Sequence, residues 1–140
     1  MSTTSNHDRE NTEVVQLLRR RLGEVIAVYR FGSTARGNAV RSSDVDIAVL
    51  PRSPLAPALR FDAQEQLAAL LGRDVDLVDL RAASPVFAVQ VVGHGHVIYE
   101  GDPVDRGAFE DRALGAYARL NEERRGILER VAAEGTVYGR

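Results

Sequence analysis

FGSTARGNAVRSSDVD, residues 31–46, joins a glycine–serine turn to a pair of aspartates ten residues further on. The run before it, VIAVYRF (25–31), is rich in β-branched and aromatic residues and stops at Gly32; DVDIAVL (44–50) is a second such run, stopped by Pro51. Side chains alternate across a strand, so Asp44 and Asp46 share one face while Val45, Ile47 and Val49 take the other. Two carboxylates so placed repel by about 3 kcal/mol at an effective dielectric of about 20. A divalent cation removes that cost, and oxygen donors without cysteine favour Mg²⁺ or Mn²⁺ over zinc. Because Mg²⁺ is usually held by one or two carboxylates plus phosphate oxygens, the pair points to a nucleotide. The turn supplies the complement: Gly32 has no Cβ, so backbone N–H groups and the Ser33 hydroxyl can approach phosphate, with Arg36 to neutralise a further charge. The pattern is neither a Walker loop nor the dinucleotide fingerprint.

Outward from this stretch the chain divides by its periodicities. Val14, Val15, Leu17, Leu18 and Leu22 recur at helical spacing and predict a helix over about 9–22, closed by Gly23. The interval between the first two strands is too short for a full crossover and suits a turn and a helical turn or two. Leu59, Ala63, Leu67, Leu70 and Leu71 predict a helix over about 55–71, ended by Gly72, and DVDLVDL (74–80) reads as a third strand. A short helix over 84–92, an edge strand HVIYEG (96–101) and a helical segment over 104–133 follow; Gly115 and Gly126 leave one long helix or a broken pair open for the last. The expected class is α/β (α+β): a small mixed sheet flanked by helices. Residues 1–12 are expected to form a flexible tail and 13–133 a single domain, with 104–133 its C-terminal helical segment.

Composition narrows the function. With 140 residues and 44% apolar content, the chain suits one compact unit with a real core but no separate substrate-binding domain. A net charge of −2 gives no bulk positive field, so direct nucleic-acid binding is not expected. The absence of cysteine removes disulfides, thiolate metal sites and thiol nucleophiles together. The polar start MSTTSNHDRENTE lacks the apolar core of a signal peptide, and no run reaches the length of a membrane span. A cytoplasmic protein without membrane contact is expected.

Gly32-Ser33, ten residues, then Asp44-Val45-Asp46 resembles the GSx10DxD signature of the DNA-polymerase-β-like nucleotidyltransferases, and GSTARG with SSDVDIAVL is similar to its minimal (MNT) branch. The resemblance runs from about residue 14 to 101 and implies the small nucleotidyltransferase palm. It also implies a third carboxylate on a neighbouring strand, where Asp76 matches the motif position best; Asp74 shares its face and Asp79 lies on the opposite one. In such a site Asp44, Asp46 and Asp76 act as metal ligands and catalytic groups around two Mg²⁺ ions about 3.5 to 4 Å apart. Gly32 and Ser33 would then hold the β- and γ-phosphates, and Asp76 would serve as general base. Stand-alone MNT proteins of this size are commonly antitoxins paired with a HEPN-domain ribonuclease toxin, transferring AMP from ATP to a toxin tyrosine. The resemblance therefore implies a cognate HEPN toxin as partner and ATP as substrate. A transferase acting on a small molecule such as an aminoglycoside, and an antitoxin that works by binding alone, are the competing readings; the lack of a substrate domain opposes the first, and the full carboxylate set opposes the second.

Other residues take plainer readings. His94 and His96 in GHGH lack a third ligand at usable spacing and are expected in a loop, while Asp79 and Arg81 are expected to solvate a strand end. The segment NEERRGILER reads as a solvated helix face. Phe109, Leu114, Tyr117, Leu120, Ile127 and Leu128 make an apolar stripe long for so small a core, which leaves part of it for a partner or a homo-oligomer.

Overall fold

A computed structural model describes the chain over residues 3–32 and 44–135. Within these, α1 (Thr3–Leu22) leads to β1 (Val25–Phe31), β2 (Val45–Pro51), α2 (Pro57–Leu71), β3 (Val75–Asp79), α3 (Pro85–His94), β4 (His96–Glu100) and α4 (Pro103–Gly135). The strands form a four-stranded sheet in the order β3-β2-β1-β4. β1 runs antiparallel to both neighbours, whereas β2 and β3 run parallel, as they must when α2 carries the chain back across the sheet. The expected mixed sheet flanked by helices is what forms.

Strand alternation decides which helix covers which face. Val45, Ile47 and Val49 of β2, with Val75 and Leu77 of β3, pack against Val14, Leu17 and Leu18 of α1 and Ala63 and Leu67 of α2. Ala48 and Leu50 point the other way, joining Tyr29, Leu80, Ala88 and Val91 of the second core, which Phe109 and Ala113 of α4 close. Each fully buried Leu or Ile in these layers contributes about 1.5 to 3 kcal/mol. The helix boundaries follow local chemistry. Pro57 opens α2 and Gly72, at φ 66°, ends it in the left-handed conformation; Ser84 caps α3, its hydroxyl accepting from the Phe87 N–H at 3.2 Å.

One expectation changes and one open alternative is decided. Helix α1 begins at Thr3, so residues 3–12, expected as a tail with helix only from about residue 9, are helical, and Glu10 and Asn11 meet a buried arginine of β1 as described below. The C-terminal segment is one continuous helix through Gly115 and Gly126. Glycine costs only about 1 kcal/mol in a helix interior, and the early turns of α4 are anchored by Phe109 and Ala113. Beyond Asn121 nearly every described residue of α4 is exposed, and Leu114, Ile127, Leu128 and Val131 remain uncovered in the single chain. Among the described residues no helix is long and apolar enough to cross a membrane.

Candidate functional site

The register of the sheet gathers the sequence-singled residues at one end. Phe31 pairs with Asp46 across the antiparallel β1–β2 ladder, so Gly32 leaves β1 beside that aspartate. Asp46 pairs in turn with Asp76 across the parallel β2–β3 ladder, and the Val45 N–H donates to the Asp74 carbonyl at 2.9 Å where the two strands begin. Partners in a parallel ladder project to the same side. Asp44, Asp46 and Asp76 therefore lie on the face shared with Ala48 and Leu50; Asp44 and Asp76 are exposed and Asp46 half-buried.

Gly32 suits this arrangement on two counts. Its φ is +78°, a conformation side chains rarely adopt, and a Cβ placed on it would collide with Asp46 Oδ2. Burial raises the Asp46 carboxyl above its ordinary pKa, and the charges of Asp76 and then Asp44 push it further in the same direction. A carboxylate set under its own repulsion, with hard oxygen donors and no soft ligand, fits a divalent cation of the Mg²⁺ class. No group of three His, Asp or Glu side chains among the described residues is drawn together tightly enough to form a ready-made ion cage. Ser33 and Arg36 lie outside the described residues, as does the expected helical turn over 33–43.

The plainer readings divide. Asp79 is on the opposite face, as alternation predicts, but it does more than solvate a strand end. Only 4% exposed, it accepts the Leu55 N–H on Oδ2 and the Arg81 N–H on Oδ1, at 2.8 and 2.9 Å, fixing the approach to α2 and the turn after β3. Arg81 donates to the Pro51 carbonyl at 2.9 Å and lies over the Phe109 ring, so it too belongs to the packing. His94 closes α3 and His96 opens β4, rather than sharing one loop. His96 faces a hollow of about 470 Å³ between α1 and β4, lined also by His7, Asn11 and Arg30. Burial, and then the Arg30 charge, lower the His7 pKa.

The sequence reading missed a set of ion pairs beneath the site. Arg30, 1% exposed, donates to Asn11 Oδ1 and to Glu10 Oε1, each at 2.8 Å, and Glu10 Oε2 takes Arg73 at 2.6 Å. The signal was present in the alternation of β1: Arg30 falls on the same face as the buried Val28, and an arginine there needs a partner.

The family described as polymerase beta, nucleotidyltransferase, matches residues 12–104. The chain is 38% identical over 121 residues, 86% of its own length and 86% of the relative's, to a protein adenylyltransferase, MntA, of Shewanella oneidensis. A crystal structure of a toxin–antitoxin with AMP-PNP superposes with a TM-score of 0.78 at 37% identity, over 87% of this chain and 98% of that one. A structure of a tri-AMPylated Shewanella oneidensis HEPN toxin in complex with its MNT antitoxin superposes at 0.75 and 33% identity, covering 90% of this chain and 98% of the matched one.

Proposed function

Because the chain belongs to the polymerase beta nucleotidyltransferase family, we propose that it is a protein adenylyltransferase that moves AMP from Mg–ATP to a tyrosine hydroxyl of a cognate HEPN-type toxin and so neutralises it in the cytoplasm. The observation that carries this reading is the placing of Asp46 between Asp76, its partner on the parallel strand, and Gly32, whose missing Cβ leaves room for the carboxylate. Residues 13–133 would act as one unit.

The roles follow from position. Asp44, Asp46 and Asp76 would hold Mg²⁺, which when bound neutralises triphosphate charge and sharpens the acceptor oxygen. The Gly32 turn and the Ser33 hydroxyl would grip the β- and γ-phosphates, with Arg36 balancing their charge. The acceptor oxygen bonds to the α-phosphorus as the bond to pyrophosphate breaks, and the exposed Asp76 takes the hydroxyl proton. Positioning and charge balance account for most of the acceleration in such transfers.

Incubation with Mg²⁺, ATP and the protein encoded beside this one, followed by intact-mass spectrometry of that partner, tests the proposal. Increments of AMP are expected. They should vanish with Asp76→Ala although ATP affinity largely persists, whereas Asp44→Asn or Asp46→Asn should abolish Mg²⁺-dependent ATP binding itself. A partner left unmodified yet inhibited in a stable complex would favour action by binding alone, and modification of an aminoglycoside would favour a small-molecule enzyme; either overturns the reading.

A further inference from the structure

The Arg30–Glu10–Arg73 bridge joins two strand ends that both serve the carboxylate site. Arg30 precedes Gly32 by two residues at the exit of β1, and Arg73 precedes Asp76 by three at the entry to β3. One carboxylate of α1 spans them, with Oε1 on Arg30 and Oε2 on Arg73. Asn11, one residue on, holds the other arm of the Arg30 guanidinium, so the fork is fixed rather than free to turn. On the opposite face Phe31 is pinned edge-on to Phe87, ring centres 5.5 Å apart, so β1 is held from both sides just before the glycine. Asp46 stands between the two strands so tied, and its neighbour Val45 donates its N–H to the Asp74 carbonyl at the entry to β3.

We propose that Glu10 is a positioning residue for nucleotidyl transfer: by bridging Arg30 and Arg73 it fixes the separation between the Gly32 turn and Asp76. It touches no substrate and acts through the strand ends. The inference rests on the transferase reading above, and it extends the working part of the molecule into the first half of α1. Displacement of a reacting group by about 1 Å can cost a hundredfold in rate, so loosening one strand end should be felt in turnover before it is felt in nucleotide binding.

Three proteins test this: wild type, Glu10→Gln, and the double variant Glu10→Leu with Arg30→Leu, which removes the buried Arg30 charge together with its Glu10 partner, leaves only the more exposed Arg73, and so should recover most of the melting temperature. Hydrogen exchange of the intact chain is read first, since it requires no activity; amides over 30–32 and 74–77 should exchange faster in both variants. Turnover of the partner protein should fall about ten- to a hundredfold in both, with the KM for ATP changed less than threefold. Unchanged exchange at the two strand ends overturns the bridge whatever the kinetics show. Turnover that returns with stability in the double variant also overturns it, since Glu10 would then serve the fold alone. A wild type that transfers nothing overturns the transferase reading and with it any role in turnover, whereas an active wild type with equally active variants overturns only the bridge.

Discussion

Gly32 carries the sharpest consequence at the scale of single residues. With φ at +78°, Gly32→Ala imposes a left-handed alanine and sets its Cβ against Asp46 Oδ2, so the carboxylate must turn aside. The conformational part alone costs about 1 to 2 kcal/mol. Thermal denaturation should register a loss of at least this size, and calorimetry a fall in Mg–ATP affinity of tenfold or more; an alanine variant with wild-type melting and affinity would contradict the close approach. Asp46 gives a prediction of opposite sign. Its folded-state pKa lies above the unfolded value, so the proton-bound form is favoured in the fold. This contribution is fully present below the ordinary carboxylate pKa and is lost as pH rises through the raised one, leaving the ionised group a liability at neutral pH. Asp46→Asn should therefore raise the melting temperature of the metal-free protein at about pH 7, and the gain should shrink to nothing as pH falls through the carboxylate range. A gain independent of pH would show that charge is not the cause.

Among elements, β3 shows how one strand serves two purposes on its two faces. Asp76 projects to the open site, while Asp79, three residues on, is spent on the backbone of the turns around it. Asp79→Ala leaves the Leu55 and Arg81 N–H groups without their acceptor, at about 1 to 3 kcal/mol for each buried donor. Chemical denaturation should show a loss of about 2 to 6 kcal/mol. Mg–ATP affinity of the folded fraction should be unchanged, because the side chain lies across the sheet from Asp46 and Asp76. This division was legible in the sequence through alternation alone, as were β1, β2 and the same-face aspartates, since period-two burial writes itself into the order of residues. The burial of Asp79 was not legible, because its acceptors' partners come from turns whose path depends on how α2 docks. The start of α1 escaped for a related reason. Residues 3–12 have little apolar periodicity of their own, and the helix there gains its tertiary hold through Glu10 and Asn11, whose partner Arg30 lies on a different element. Long-range polar pairs of this kind leave no local pattern to read.

For the whole molecule, α4 separates what builds the core from what extends beyond it. Phe109 and Ala113 close the second core, yet Ile127, Leu128 and Val131 are 51 to 60% exposed. A chain ended after Asn121 should keep its melting temperature to within about 3 °C and bind Mg–ATP unchanged, because little buried surface is removed. A large drop in stability would mean that the outer half of α4 is packed in solution by something the single chain does not contain. The parallel joining of β2 to β3 has a different consequence, which concerns time. A chain leaving the ribosome presents Gly32 and Asp46 early, and β1 and β2 can already pair. Asp76 arrives 30 residues after Asp46, and α2 must fold between them. Translation at about 5 to 20 residues per second puts more than a second between the two events. During that interval the nascent protein carries the glycine and two of the carboxylates without the third, so the cluster is complete only once β3 has paired with β2.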